Sequence, residues 1–249
     1  MRVLLHVVTG LVVLAAAIVV LAPAALLDAP LAARTRERLH LVDTQGVWWH
    51  GRGVVSTTDG RTRLPLAWRV AFAPLFTGSL VVELGTRADA ALPTGTLLLR
   101  DGSVAVRDLH VVAPAMLVTA LVPDLTSVAL RGDLDVRAPS FTWRAGTAGG
   151  AFDATWQQAS VIAGGFAVDL GSVSAKGTPL PDGVAATLRN TGGDLAIGGS
   201  VAARGGLVDA SLELTPTSVA PQPLRAMLPL LGHSDASGRV RVGWRSDHR

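Results

Sequence analysis

The feature that most constrains the fold is an alternation of large apolar side chains with smaller or charged ones. In RLPLAWRVAF, residues 63–72, leucine, tryptophan, valine and phenylalanine occupy the even positions, while arginine, proline and alanine occupy the odd ones. Successive side chains of a β-strand point to opposite faces, so this pattern predicts a strand with one buried face. The same period recurs at Leu80/Val82/Leu84, Val104/Val106, Leu134/Val136, Ala210/Leu212/Leu214 and Val240/Val242/Trp244. We therefore predict a mainly β fold.

Turn signals and two short interruptions divide the alternating runs. Asp59-Gly60 and Asp101-Gly102 lie between runs, and such pairs tolerate the positive φ angles of tight hairpin turns. The rhythm breaks in PAMLVTALVP, residues 114–123, and in PLRAMLPLLG, residues 223–232. Each segment is bounded by proline or glycine and is long enough for two to three helical turns. We predict antiparallel hairpins and two short helices lying on the sheet.

The spacing of these segments suggests an internal repeat. A shift of about 106 residues places GDLDV, residues 132–136, over GRVRV, residues 238–242, and brings the two predicted helices nearly into line. Matches of this kind also arise by chance in a chain rich in valine, leucine and glycine. The resulting hypothesis is two sheet-plus-helix units, over about residues 40–140 and 141–249.

The N-terminus is a long apolar run. Between Val3 and Leu27, His6 is the only ionisable side chain. About 20 apolar residues in a helix cross a bilayer, whereas the apolar region of a cleaved signal peptide has about 7 to 15. Cleavage remains the alternative because Ala22-Pro23-Ala24 resembles a cleavage site. We predict an uncleaved anchor over residues 1–27, a linker over 28–38 and a β-rich domain over 39–249; the flanking charges leave its orientation open.

Composition and motifs argue against several classes of function. The 22 basic and 19 acidic residues are scattered, which does not favour a nucleic-acid partner. The absence of cysteine excludes disulfides, thiolate metal sites and a cysteine nucleophile. The six histidines form no H-x-x-x-H pair, and the sequence contains neither a nucleophile elbow nor a phosphate-binding loop. We therefore expect no enzymatic activity, no metal and no cofactor.

The stretch GVWWHGRG, residues 46–53, contains two of the six tryptophans. A strand through residues 47–55 would place Trp48, His50 and Arg52 on one face and Trp49 on the other. Two interpretations follow: the indoles pack in the core, or they anchor a partner protein. The second makes Trp48, Trp49, His50 and Arg52 candidate partner-binding residues. Gly46, Gly51 and Gly53 are motif glycines, and those on the face of Trp49, Gly51 and Gly53, clear space beside it.

The order of these features resembles the type II secretion system protein N family. The resemblance rests on the apolar N-terminus, the glycine-bracketed tryptophans, the LPLAW strand ending in Trp68 and the LRAMLPLLG helix followed by G-x-V-x-V. It implies a single-pass inner-membrane protein with a β-rich periplasmic domain, an accessory part of the machine that exports folded proteins through the outer membrane. The C-terminal part is also similar to AsmA-like domains, whose curved sheets are associated with lipid handling.

Together these observations predict one N-terminal transmembrane helix followed by a curved antiparallel β-sheet in the periplasm. The resemblance implies two kinds of partner, namely other type II secretion proteins, from the inner-membrane platform or the secretin, and the lipid bilayer. The alternative function is a membrane-anchored, AsmA-like lipid-handling module. In that case one face of the curved sheet would be a continuous apolar groove.

Overall fold

A computed structural model of the protein describes residues 20–85, 93–121, 128–144, 147–163, 165–204, 207–235 and 239–247. These residues form one curved sheet of 14 antiparallel strands. The strands follow their order in the chain, except that β14 lies between β12 and β13. The predicted mainly β, antiparallel fold is confirmed.

The strands lengthen towards the middle of the sheet. They are β1 Leu39–Val47, β2 His50–Thr57, β3 Arg63–Ala71, β4 Ser79–Leu84, β5 Thr94–Arg100, β6 Ser103–Pro114, β7 Val128–Arg144, β8 Thr147–Ala163, β9 Phe166–Leu180, β10 Gly183–Thr191, β11 Leu195–Arg204, β12 Leu207–Pro216, β13 His233–Ser234 and β14 Val240–Asp247. Every alternating run of the sequence lies in one of them, except that Phe72, the last residue of the run over 63–72, follows the end of β3.

Both predicted turns are present. Asp101 and Gly102 connect β5 to β6 with φ angles of 48° and 70°, as expected for a two-residue turn with positive φ at both positions. Residues 58–62 connect β2 to β3. In that turn the Thr57 hydroxyl donates to the Asp59 carboxylate and lowers its pKa. Local turn chemistry therefore accounts for these two hairpins.

The described residues contain three α-helices and two 3-10 helices. The α-helices are α1 Asp28–Arg34, α2 Met116–Leu121 and α3 Gln222–Leu231, and the 3-10 helices are Ala24–Leu27 and Ala73–Thr77. Both predicted helices are confirmed, as α2 and α3. Helix α2 connects the neighbouring strands β6 and β7, and the segment that contains α3 and β13 connects the neighbouring strands β12 and β14. This shared arrangement fits the proposed repeat, which stays a prediction.

Two buried clusters lie towards opposite ends of the sheet. Near its beginning, Ala24, Leu41 and Trp68 form a cluster with Leu27 and Leu31 against it. Towards its end, Leu228 of α3 packs with Ala159, Leu170, Leu195 and Val240. The N-terminal segment and α3 therefore each cover part of the sheet.

The predicted transmembrane helix is not found in the part of the chain that the structure describes. Most of it, residues 1–19, lies outside that part, and no described helix is long and apolar enough to cross a membrane. Its last residues pack on the sheet instead, because Pro23 forms a β-bridge with Val47 and Ala24 is only 1% exposed. Residues 28–34 of the predicted linker form α1.

Candidate functional site

The two adjacent tryptophans form the turn between β1 and β2. Strand β1 ends at Val47, β2 begins at His50, and these two residues pair directly. The prediction of one continuous strand through residues 47–55 is therefore wrong. Two-residue hairpin turns usually need positive φ, yet neither Trp48 nor Trp49 has it. Contacts with distant segments hold the turn, so local sequence could not reveal it.

The turn fastens the N-terminal segment to the sheet. The Trp48 backbone N–H donates to the Ala22 carbonyl at 3.1 Å, and the Trp49 indole Nε1 donates to the Val20 carbonyl at 2.9 Å. Next to them, Pro23 forms its bridge with Val47. Residues 20–23, within the last part of the long apolar run, are thus held at three successive points beside the turn.

Phe72, the residue that follows β3, packs against both tryptophans. Its ring centroid lies 5.1 Å from that of Trp49 and 6.1 Å from that of Trp48, in edge-to-face arrangements. Strand β3 adds a backbone contact, because the Val70 N–H donates to the Trp49 carbonyl at 2.7 Å. The aromatic turn is therefore fixed from β3 as well as from the N-terminal segment.

Trp68, in β3, stabilises the turn from the buried cluster. It is 6% exposed, and its indole Nε1 donates to the Trp48 carbonyl at 2.8 Å. Gly51 pairs directly with Trp68, and a Cβ at Gly51 would lie 2.7 Å from the Trp68 ring. This contact shows why a glycine is needed there: it makes room for Trp68 rather than for Trp49.

The other two motif glycines lie on either side of the hairpin. Gly46 pairs with Gly51 and has a φ of +91°, which a residue with a side chain rarely adopts. A Cβ at Gly53 would lie 3.2 Å from the Leu41 side chain in the buried cluster. Packing and backbone geometry therefore account for all three glycines.

The structure brings three of the four predicted partner-binding residues together. Trp48, Trp49 and His50 are consecutive at the turn, and the rings of Trp49 and His50 lie 6.0 Å apart. The exposed Arg52 instead donates from Nε and Nη2 to the Gln45 side chain, at 2.9 and 2.6 Å. Both tryptophans are half-buried and His50 is exposed. Their role in binding a partner stays a prediction.

A polar cleft begins at His50 and crosses the strands from β2 to β6. Its volume is about 740 Å³. His50 pairs with Arg69, and Arg69 pairs with Glu83, so these side chains follow one another across the sheet. The lining residues are His50, Gly51, Ala67, Trp68, Arg69, Glu83, Leu84, Gly85, Thr94, Gly95, Thr96 and Asp108. The cleft thus presents charges of both signs beside the turn.

An apolar groove lies between the two buried clusters. Val82, Leu97, Val106 and Phe141 pair in sequence from β4 to β7, so their side chains share a face. The groove encloses about 190 Å³ and is lined by Val106, Leu109, Val136, Ala138, Phe141 and Phe152. Phe152 shares its face of β8 with Trp156, which packs on the α3 cluster. One apolar face therefore joins both clusters through this groove.

Sequence reasoning missed the partners of the tryptophans. Phe72 belonged to a predicted strand, and Val20, Ala22 and Pro23 belonged to the predicted anchor, so neither set was linked to the WW pair. The contacts join residues more than 20 positions apart, such as Trp49 to Val20. The glycines were a usable signal because they indicate that a large ring lies close by.

The geometry is that of a packed aromatic turn. Among the described residues, no group of three or more His, Asp or Glu side chains could hold a metal ion. The Trp48 N–H and carbonyl and the Trp49 carbonyl and indole N–H all form hydrogen bonds with other segments of the chain. Its chemistry is therefore hydrogen bonding and aromatic packing.

Comparison with known proteins gives one match. The family model described as Type II secretion system (T2SS), protein N matches residues 37–243. The searches of curated proteins and of solved structures found no match. The matched range runs from just before β1 into β14 and includes the tryptophan turn, the groove and both predicted helices. The resemblance inferred from the order of motifs is confirmed, and the chain belongs to the type II secretion system protein N family.

Proposed function

We propose that the protein is an accessory structural or assembly component of the type II secretion system in the inner membrane. In this proposal the apolar N-terminus is a single-pass anchor, and the β-sheet domain lies in the periplasm. It contributes to the export of folded proteins by binding, without catalysis. The observations that support this most are the family match over residues 37–243 and the apolar run over residues 3–27 that lies N-terminal to it.

The joint between anchor and sheet supports a positioning role. Beyond the contacts of residues 20–23, the Asp28 carboxylate accepts a hydrogen bond from the Leu41 N–H at 2.7 Å. Ala24 is buried between these points. A joint fixed at several positions leaves the domain little freedom to swing about the end of its anchor. Such a domain presents one surface in a defined direction, as a component of a membrane assembly requires.

The proposed partners are proteins of the inner-membrane platform or the secretin. The proposed contact surface is Trp48, Trp49, His50 and Arg52, together with the cleft beside it. Tryptophan and arginine are enriched among residues that dominate interface energies, and Arg69, Glu83 and Asp108 of the cleft offer charges for complementary pairing.

Site-specific photo-crosslinking in intact cells tests this proposal. A photoreactive residue replaces His50 in the full chain, and a matched variant carries it at Val219, an exposed position between β12 and α3. We expect position 50 to crosslink a platform protein or the secretin and position 219 to give none of these products. Recovery of the full chain without any secretion protein at position 50 would overturn the proposal.

A second candidate function is lipid handling, and the apolar groove supports it. Phe141 and Phe152 meet in the groove at a ring distance of 6.2 Å, and every lining residue is apolar. A groove of this kind accepts an acyl chain. Native mass spectrometry of the full chain purified from membranes tests it. A bound lipid that is lost in Val106→Asp but kept in Val112→Asp, where Val112 is exposed and outside the groove, would support it. A lipid-free wild-type protein would contradict it.

A further inference from the structure

An exposed apolar surface adjoins the tryptophan turn. It consists of Val20, Leu21, Phe72, Leu75 and Phe76, which we call the Phe76 surface. Their exposures are 43%, 70%, 39%, 38% and 92%. Exposed apolar groups clustered in this way usually mark an interaction site. Such a cluster, next to residues 20–24 where the N-terminal segment meets the sheet, raises the question of what covers it.

The fold holds these residues next to one another. Phe72 contacts Trp49, and the Trp49 indole binds the Val20 carbonyl, so the two segments meet at the turn. The 3-10 helix Ala73–Thr77 follows Phe72 directly, and the Leu75 N–H donates to the Phe72 carbonyl at 3.0 Å. The Thr77 hydroxyl closes this helix on the Pro74 carbonyl at 2.8 Å. Phe76 therefore projects into solvent from a hydrogen-bonded 3-10 helix.

The sequence that precedes Val20 indicates what covers this surface. Residues 3–19 contain His6 as their only ionisable side chain and connect directly to Val20. As a helix, they would extend about 25 Å at 1.5 Å per residue, close to the roughly 30 Å of a bilayer core. Aromatic side chains collect where such helices leave the bilayer. The apolar surface thus lies where the proposed anchor would emerge.

We propose that the Phe76 surface rests in the interfacial layer of the bilayer, at the end of the anchor. This inference rests on the membrane anchoring in the proposed function and adds a second membrane contact made by the folded domain.

In an antiparallel meander, alternate connections lie at the same edge of the sheet, so the β1–β2 turn and the β3–β4 connection share one edge. The connections that contain α2 and α3 lie at the opposite edge. The strands would then run away from the membrane, with α2 and α3 at the distal edge.

Depth-dependent fluorescence quenching tests the inference, because a chain without cysteine can be labelled at one introduced thiol. Phe76→Cys and Val219→Cys are made in the full chain, and both carry the same environment-sensitive dye. Val219 is 70% exposed and belongs to the α3 connection at the opposite edge. The proteins are reconstituted into vesicles of phosphatidylethanolamine and phosphatidylglycerol, with or without lipids spin-labelled near the headgroup. Flotation and carbonate extraction report anchoring separately.

The expected result is a blue shift and a loss of emission at position 76 when spin-labelled lipid is present, with neither change at position 219. If the protein resists carbonate extraction and position 76 still emits as in water, the docking surface is overturned while anchoring stands. Equal quenching at both positions also overturns it. If the protein neither floats with the vesicles nor resists carbonate, both the docking surface and the anchoring fail.

Discussion

At the scale of single residues, Trp68 and Trp49 stabilise the turn through different contacts. Trp68 lies in the buried cluster and holds the Trp48 carbonyl. Trp49 reaches outwards to the Val20 carbonyl. The indole N–H of each is thus bound to backbone of another segment, as buried or half-buried tryptophans usually require. The pair at positions 48 and 49 is conspicuous in the sequence, but Trp68 fixes the conformation of the turn by its hydrogen bond to the Trp48 carbonyl.

Truncation of Trp68 tests this role. We expect Trp68→Ala to lower the free energy of unfolding by about 3 to 5 kcal/mol, because it empties a buried site. Trp143→Ala is the control, since Trp143 is 45% exposed, and it should cost no more than about 1 kcal/mol. Chemical denaturation of both variants measures the difference. Equal losses would show that Trp68 is not a core residue.

Gly51 gives a second residue-scale prediction. Gly51→Ala should destabilise the fold, because its Cβ would lie 2.7 Å from Trp68 and 2.8 Å from the Gln45 carbonyl oxygen. Gly198→Ala is the matched control in another strand, where a Cβ would meet nothing within 4 Å. There the lower entropy of the unfolded chain should leave stability unchanged or raise it by up to about 1 kcal/mol. Melting temperatures of the two variants settle the comparison, and a neutral Gly51→Ala would refute the close contact.

At the scale of elements, sequence alone predicts what local chemistry controls. The alternation in residues 63–72 gives β3, and Asp101-Gly102 gives its hairpin, because side-chain direction and φ preference are local properties. The proline-bounded segments give α2 and α3 for the same reason. The Trp48-Trp49 turn could not be predicted, since it lacks the positive φ of common hairpin turns and depends on Val20, Ala22 and Val70. Trp48, Trp49 and His50 therefore lie together as their adjacent positions predict, but the turn that they form was not predicted, and their role in binding a partner stays a prediction.

Docking of the N-terminal segment on the turn is itself testable. Trp49→Ala removes the hydrogen bond to the Val20 carbonyl and the packing on Phe72, so residues 20–27 should open more often. Hydrogen exchange measured by mass spectrometry should show faster exchange of peptides that cover this segment, with the distant α3 unchanged. Trp143→Ala serves as the control and should leave the segment protected. Unchanged exchange in Trp49→Ala would mean that the other contacts suffice without this indole.

The helix α3 offers a matched pair of neighbours. Leu228 is 2% exposed in the cluster with Val240, whereas the adjacent Met227 is 42% exposed. We expect Leu228→Ala to cost about 2 to 5 kcal/mol of stability through lost burial and the cavity left behind. Met227→Ala should cost far less. Urea denaturation compares the two variants, and similar unfolding midpoints would indicate that the packing of α3 on the sheet through Leu228 contributes little to stability.

At the scale of the whole molecule, one sheet carries two different surfaces. Its apolar face continues from the Trp68 cluster through the groove to the α3 cluster. The end near residue 20 gathers the tryptophan turn, the polar cleft and the Phe76 surface. The proposed anchoring would use this difference, because one end would meet the bilayer and the rest would remain available to partners. Family membership makes the chain a type II secretion system component, and residues 20–24 are where the proposed anchor would join the sheet.

The measurement that tests membrane anchoring most directly combines a topology fusion with carbonate extraction. Alkaline phosphatase is fused after Arg249 in the full chain, since this enzyme is active only after export, and the membranes are then washed with carbonate. We predict an active fusion that stays in the membrane fraction with its N-terminus intact. An inactive fusion, release by carbonate, or a mature chain that begins near Ala25 would contradict a periplasmic domain anchored by the apolar N-terminus, residues 1–27.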